Sequence, residues 1–195
     1  MRNASLRLLL VLLGVVCAAA SQARAEELTL RYRGHSVEGR RLYLEMGITG
    51  DISYDTIDAI RNGITANLIV NLHLVRTGGI FDSGRELVGQ RTENFTISYD
   101  VWEEIFLIED KARKKEYQAV SPPDIVNQIS RHLSPVRMNL ASAEEYGKYI
   151  VKGRIKIQTI KLFPPFGIFL YFFDPWNYDS GWVGTEVFEV GTIRE

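Results

Sequence analysis

From Ile64 to Leu74 the chain alternates with a period of two: Ile64, Ala66, Leu68, Val70, Leu72 and Leu74 share one face, and Thr65, Asn67, Asn71 and His73 share the other. Successive side chains of an extended backbone point to opposite sides, so this stretch predicts a long strand with one face in a core and one face wetter. Its neighbours should be antiparallel, because parallel strands are covered on both faces and read as continuous apolar runs. The same alternation recurs in Leu28, Leu30 and Tyr32, and again in Leu42, Leu44 and Met46 beyond a turn placed at Gly34 to Gly39, which together read as a first hairpin. Thr77-Gly78-Gly79 and Asp82-Ser83-Gly84 bound a turn region, followed by an alternating strand with Phe95, Ile97 and Tyr99 and a short apolar one at Ile105 to Ile108. Lys111 to Glu116 reads as a charged connection, Tyr117 to Val120 as a short strand, Tyr149 to Ile160 as a strand with Ile155 and Ile157 opposite Arg154, Lys156 and Gln158, and Thr185 to Val190 as the last.

Helical signals are few. Ser121-Pro122-Pro123-Asp124 combines a capping hydroxyl, prolines in the first turn and an acid three residues on, ahead of Ile125, Ile129 and Leu133 at helical spacing. Asp55 to Asn62 before Gly63 is a second candidate, and Ser142-Ala143-Glu144-Glu145 offers a capping box for two turns at most. Roughly eight or nine strands with two or three short helices in the connections predict a mostly β fold, an antiparallel β-sandwich. Ile52-Ser53-Tyr54-Asp55 echoes Ile97-Ser98-Tyr99-Asp100, but the similarity ends on both sides and does not mark a duplicated unit.

The first 25 residues lie outside this pattern. Arg2 and Arg7 precede an uncharged run, Leu8 to Ala20, and Ala23-Arg24-Ala25 is followed by Glu26 and Glu27. A basic start, a short apolar stretch and an A-x-A site describe a secretory signal peptide, and the run is shorter than the roughly 20 apolar residues of a bilayer span. Residues 1–25 are therefore expected to be cleaved and 26–195 to form a single β-rich domain in the periplasm or cell envelope of a bacterium. Cys17 follows Val16, where lipid attachment needs a small residue.

Composition then narrows the chemistry. Three of the 23 Lys and Arg leave with the leader while all 24 acids stay, so the mature chain carries −4 with His neutral, a poor field for nucleic acid. The one cysteine leaves as well, which excludes a disulfide, a Cys nucleophile and a Cys-ligated metal. His35, placed in a turn, His73, on a polar strand face, and His132, near a helix end, lack zinc spacing and read as surface residues. Asp51, Asp55 and Asp58 lack the pattern of a calcium loop and suit a helix N-terminus. No G-x-S-x-G elbow is present, and the pairs Glu103-Glu104, Glu109-Asp110 and Glu144-Glu145 read as solvated surface. Asn94-Phe95-Thr96 matches a glycosylation acceptor, a pattern frequent by chance. No cofactor or metal is expected.

The unusual stretch is Leu162 to Trp182. Its first twelve residues are uncharged and contain Phe163, Phe166, Phe169, Tyr171, Phe172 and Phe173, too short a run to cross a bilayer. Three readings stay open: core packing around a proline-braced loop, a surface that docks protein or lipid, and a sugar site in which Trp176, Tyr178 and Trp182 stack while Asp174, Asn177 and Asp179 bond hydroxyls. The residues set aside for interaction are Phe163, Phe166, Phe169, Trp176 and Tyr178.

The order of these features resembles a family of short exported bacterial proteins known only as domain of unknown function 4390. The resemblance is carried by Ile57 to Gly63 leading into the long strand that ends at Arg76, by Phe95 to Asp100, by the helix after Ser121, by Tyr149 to Ile157, by the Leu162 to Pro165 turn and by Trp176-Asn177-Tyr178-Asp179-Ser180-Gly181-Trp182. The paired tryptophans around Ser-Gly are its most specific element. A longer connection at Lys111 to Gln118 and the apolar Gly167 to Phe173 depart from the family pattern. The resemblance implies an envelope location, a β-rich fold and an association of some relatives with sensor-kinase gene neighbourhoods, and no catalytic residue. The expected function is a non-enzymatic module that docks an envelope protein or membrane surface through the aromatic tract; the alternative is an envelope glycan-acting enzyme or glycan-binding domain.

Overall fold

The computed structural model describes residues 27–77, 85–140, 147–159, 177–185 and 187–190. In chain order these form β1 (Thr29–Glu38), β2 (Arg41–Thr49), α1 (Tyr54–Arg61), β3 (Ala66–Thr77), β4 (Arg85–Asp100), β5 (Ile105–Asp110), β6 (Lys115–Ala119), α2 (Pro122–Leu133), β7 (Val136–Asn139), β8 (Gly147–Thr159), β9 (Tyr178–Asp179), β10 (Val183–Gly184) and β11 (Phe188–Val190). Two antiparallel sheets result. The smaller has the order β1-β2-β7; the larger runs β10-β8-β3-β4-β5-β6, with β9 and β11 also paired to β8.

The long alternating segment is the centre of the larger sheet. As β3 it pairs along its whole length with β4 on one side and β8 on the other, and Ala66, Leu68, Val70, Leu72 and Leu74 are fully buried. The smaller sheet covers that inner face with Leu42, Leu44, Met46, Val136 and Met138. Gly153 lets the layers meet closely, since a Cβ there would lie 2.6 Å from Leu30 Cδ1. α2 turns Ile125, Ile129 and Leu133 into the same core, and its Ser130 Oγ accepts a hydrogen bond from the Ile48 amide at 3.0 Å. α1 begins at Ser53, whose Oγ accepts from Thr56 N at 3.3 Å, and buries Ile57 and Ile60. The fold is the expected β-sandwich.

Several local expectations are corrected. The first hairpin turns on Gly39 and Arg40 alone, Gly39 taking the left-handed φ of +56° that a tight hairpin asks of its loop. Gly34 to Glu38 therefore stay in β1, past a register shift between Tyr32 and Gly34, and His35 is a strand residue. Lys115 and Glu116 belong to β6, because the turn after Asp110 needs only four residues. β7, β9 and β10 are additional strands, each too short to show periodicity, and β11 starts only at Phe188. The two copies of the I-S-Y-D echo differ in structure: Ser53 caps a helix, whereas Ser98 pairs with Leu107 inside the sheet. The Ser142 capping box and Leu162 to Trp176 lie outside the described residues.

Candidate functional site

The segment from Asn177 to Thr185 forms a strap along β8. Asn177 Oδ1 accepts from Thr159 N at 3.2 Å, Ser180 Oγ accepts from Ile155 N at 2.9 Å, and Thr185 Oγ1 accepts from Val151 N at 3.0 Å. Asp179 forms a forked pair with Arg154, whose Nε donates to Oδ1 at 2.6 Å. That donor bond, the Gly181 amide and the Arg154 and Lys156 charges hold the Asp179 carboxyl at a pKa of about 2, against the smaller upward pull of desolvation. Trp182 lies across the polar outer face, with its ring centroid 4.3 Å from that of His73 and the Arg154 guanidinium 5.8 Å from it. Of the side chains named for a sugar site, Asn177, Asp179 and Trp182 make contacts within the fold, and Asp174 and Trp176 lie outside the described residues.

Tyr178 joins the strap to the start of the domain. Its hydroxyl donates to the Leu28 carbonyl at 2.8 Å, and its pKa is pushed up to about 12, first by burial and then by the charges of Glu27 and Asp179. Of the five residues marked for interaction it is the one described, and its hydroxyl is committed to β1; Phe163, Phe166, Phe169 and Trp176 fall outside the described residues. Tyr178→Phe is expected to cost about 0.5 to 1.5 kcal/mol near neutral pH through the lost hydrogen bond. A phenol whose folded pKa exceeds its unfolded value stabilises the fold fully below pH 10 and ceases to do so as pH rises towards about 12. The variant should therefore lose less stability than the parent over that window, as read by denaturant melts at successive pH values.

A second cluster of charge sits on the inner side of β4 and β5. Glu93 and Asp110 are fully buried, and both face Arg113, whose Nη1 lies 2.8 Å from Asp110 Oδ2 and 3.7 Å from Glu93 Oε2. Arg91 Nε donates to Glu93 Oε1 at 2.8 Å, and Asp110 Oδ1 accepts from the amides of Ala112 and Arg113. Burial works against the Arg113 charge, yet the hydrogen bond and charge of Asp110, with Glu93, hold its pKa above the ordinary value. Both carboxyls are buried and bound by arginine, whereas a glycosidase needs its two carboxyls facing a cleft that a sugar can enter. Beside them Tyr117 stacks on His132 at 3.6 Å, and burial, then the Arg113 charge, lower the His132 pKa. The three histidines are half-buried and carry ring contacts, His35 against Phe188 at 4.4 Å, so they are more than surface decoration. Among the described residues no group of three His, Asp or Glu forms a metal-ligand set, and Asp58 accepts from Asn62 Nδ2 at 3.2 Å within its helix.

Among the described residues, four of the eight large apolar side chains that stay exposed, Tyr54, Val101, Trp102 and Val120, lie toward one end, while Leu87, Trp182, Val183 and Val187 lie elsewhere. β4 and β5 are joined by Val101 to Glu104, in a turn fixed by Asp100 Oδ1, which accepts from Trp102 N at 2.8 Å and Glu103 N at 3.2 Å. Trp102 is 96 % exposed and Val101 66 %. Ala119 pairs with Phe106, so Val120, 76 % exposed, lies beside the same turn. α1 bridges β2 to β3 at this end and begins with Tyr54, 75 % exposed. Ala66, the first residue of β3, pairs with Ile97 and with Thr159, so β8 delivers the chain to residue 160 here, and Asn177 receives it back. Leu28 is held here too, through Tyr178. Trp102 was missed as a candidate because Glu103-Glu104 made the segment read as solvated surface; the available signal was the apolar pair Val101-Trp102 set in a short turn between Asp100 and two glutamates.

Comparison with known proteins matches residues 25–185 to a family described as a domain of unknown function, DUF4390. No curated protein and no solved structure matches the chain. The match spans β1 to β10, the two helices and the strap, leaving only β11 beyond it among the described elements, and the chain belongs to the DUF4390 family.

Proposed function

We propose that the protein is an exported, non-enzymatic module of the bacterial envelope that docks on a membrane surface with the Trp102 end. The observation that carries this reading is the placement of Trp102, Val101, Val120 and Tyr54 toward the end where Thr159 and Asn177, the borders of residues 160–176, lie. Monomeric surfaces expose single apolar residues routinely, but a group of them with a near-naked tryptophan marks an interaction site. Tryptophan and tyrosine favour the boundary between lipid and water, where an apolar ring and a polar group are both accommodated. Residues 162–173 add an uncharged run rich in Phe, and Leu28 sets the leader-proximal end of the domain on the same side. Asp100, Glu103 and Glu104 flank the tryptophan, so association rests on apolar burial rather than on attraction to anionic lipid.

Co-sedimentation of the mature chain with neutral phosphatidylcholine vesicles tests the reading. Trp102→Ala, Phe166→Ala and Phe169→Ala are each expected to weaken association about tenfold, which corresponds to about 1.4 kcal/mol. Trp102→Ala should leave the melt within about 0.5 kcal/mol of the parent, as an exposed substitution does. Protein recovered from the envelope should begin at Glu26 or within a residue or two. Undiminished sedimentation of all three variants would overturn lipid docking, and crosslinking in cells that captures a sensor kinase or another envelope protein through Trp102, without vesicle binding, would move the surface to a protein partner.

A further inference from the structure

At the opposite end of the sandwich, arginines gather without carboxylate partners. The outer face of the small sheet follows from its register: Ser36 and Tyr43 pair, Tyr43 and Arg137 pair, and Arg41 stands opposite Glu38 on one side and Asn139 on the other. Arg40 projects from the two-residue turn beside them. These residues enclose an open groove of about 640 Å³ lined by Glu38, Arg40, Arg41, Tyr43, Arg137, Met138 and Asn139. Asn139 O approaches Gly89, the partner of Leu74, which fixes the groove at the far end of β3 from Ala66 and Trp102. Arg137 holds its guanidinium 5.7 Å from the Tyr43 ring centroid, so its position is braced from the sheet. Among the described residues several other cations meet acids, Arg76 with Glu86, Arg113 with Asp110, Lys148 with Glu189 and Arg154 with Asp179, while others such as Lys152 stand alone. Among the described residues neither Arg40, Arg41 nor Arg137 is in an ion pair, and three guanidiniums share the groove with one carboxylate.

We propose that this groove binds a phosphate-bearing anion. Like charges crowded on one face repel, and an anion between them removes that repulsion while supplying the missing acceptors. Three guanidiniums against Glu38 leave more positive charge than a single carboxylate neutralises, which suits a phosphate. Guanidinium forks also match pairs of phosphate oxygens, each fork giving two parallel N–H···O bonds. The inference is independent of membrane docking, which uses the other end of the molecule.

Calorimetric titration of the mature chain with tripolyphosphate at low salt, paired with thermal melts, is the test. The anion should raise the melting temperature of the parent, and added salt should weaken binding, because exposed charges are screened. Arg41→Ala and Arg40→Ala should each weaken binding at least tenfold; Arg40 lies in a turn with no side-chain partner among the described residues, so its variant keeps the fold. Arg137→Lys should fall between, keeping charge and losing the fork. Lys152→Ala, on the outer face of the other sheet, should bind as the parent does. A second arm separates the sources of the phosphate. Binding to phosphatidylglycerol vesicles but not to tripolyphosphate, lost in Arg41→Ala and kept in Trp102→Ala, assigns the group to a lipid headgroup. Failure of the parent to bind either probe, or binding unchanged in Arg40→Ala and Arg41→Ala, overturns the proposal.

Discussion

Leu68→Asp is expected to unfold the domain, and Asn71→Asp to leave it standing. Both residues lie in β3, three positions apart and on opposite faces. Leu68 is 0 % exposed, pairs with Phe95 and Ile157, and has apolar side chains around it on the inner face. A carboxylate there has no cation or donor to replace its hydration, and the cost of several kcal/mol is comparable with a total stability of about 5 to 15 kcal/mol. Asn71 points to the outer face, where its Oδ1 accepts from Thr92 Oγ1 at 3.0 Å and Arg154 is its cross-strand neighbour. Aspartate keeps that acceptor and gains a nearby cation, so its melt should lie within about 1 kcal/mol of the parent. Equal losses in the two variants would show that the outer face is not the solvated one.

Arg113→Ala is expected to be the most costly single change at a charged position, at about 3 to 5 kcal/mol. The reason is what it leaves behind. Asp110 and Glu93 would remain at 0 % and 1 % side-chain exposure, Asp110 without any side-chain cation and Glu93 with Arg91 alone. A buried ion pair adds little net stability when whole, because desolvation offsets the attraction, but half of one is an uncompensated charge in a medium that solvates it poorly. Lys111→Ala is the control one turn away. Its bond to Glu109 at 2.7 Å joins two side chains that are each 49 % exposed, so water and salt screen the pair and the loss should stay below about 1 kcal/mol. Denaturant melts of the two variants separate these outcomes. An Arg113→Ala melt as mild as that of Lys111→Ala would mean that the cluster opens to water, which would return Glu93 and Asp110 to consideration as groups a substrate can reach.

The cluster and the Trp102 turn share a local device that the amino-acid order hides. In both hairpins an aspartate, Asp100 or Asp110, accepts from the two amides that lie two and three residues ahead, and the turn ends on a residue of positive φ, Glu104 at +56° or Lys114 at +52°. Glycine or asparagine would have announced such a position; glutamate and lysine do not. The rigid turn holds Trp102 out in water without an apolar partner, which is what a docking residue requires.

What the amino-acid order determined by itself was everything written in a local period. The alternation in β3 and β8, the Ile125, Ile129, Leu133 spacing in α2 and the Ser121 helix start each depend on a few consecutive residues, so the two faces of these elements and the β-sandwich class were legible in the order of residues. Tertiary structure alone decided which polar groups were spent and which were left over. Asp110 and Glu109 are adjacent and chemically alike, yet one is locked under Arg113 and the other sits in solvent, because strand parity sends them to opposite sides of one sheet. Tyr178 and Leu28 are separated by 150 positions and meet through a single hydrogen bond that no spacing rule could foresee. The same holds at the two ends of the molecule. Arg41 joins Arg137 only because β7 pairs with β2, and Trp102 joins the borders of the aromatic tract only because β3 pairs with β4 and β8 at once. Local periodicity fixes which face a side chain takes, whereas its neighbours are set by strand order, which depends on contacts between residues far apart in the chain.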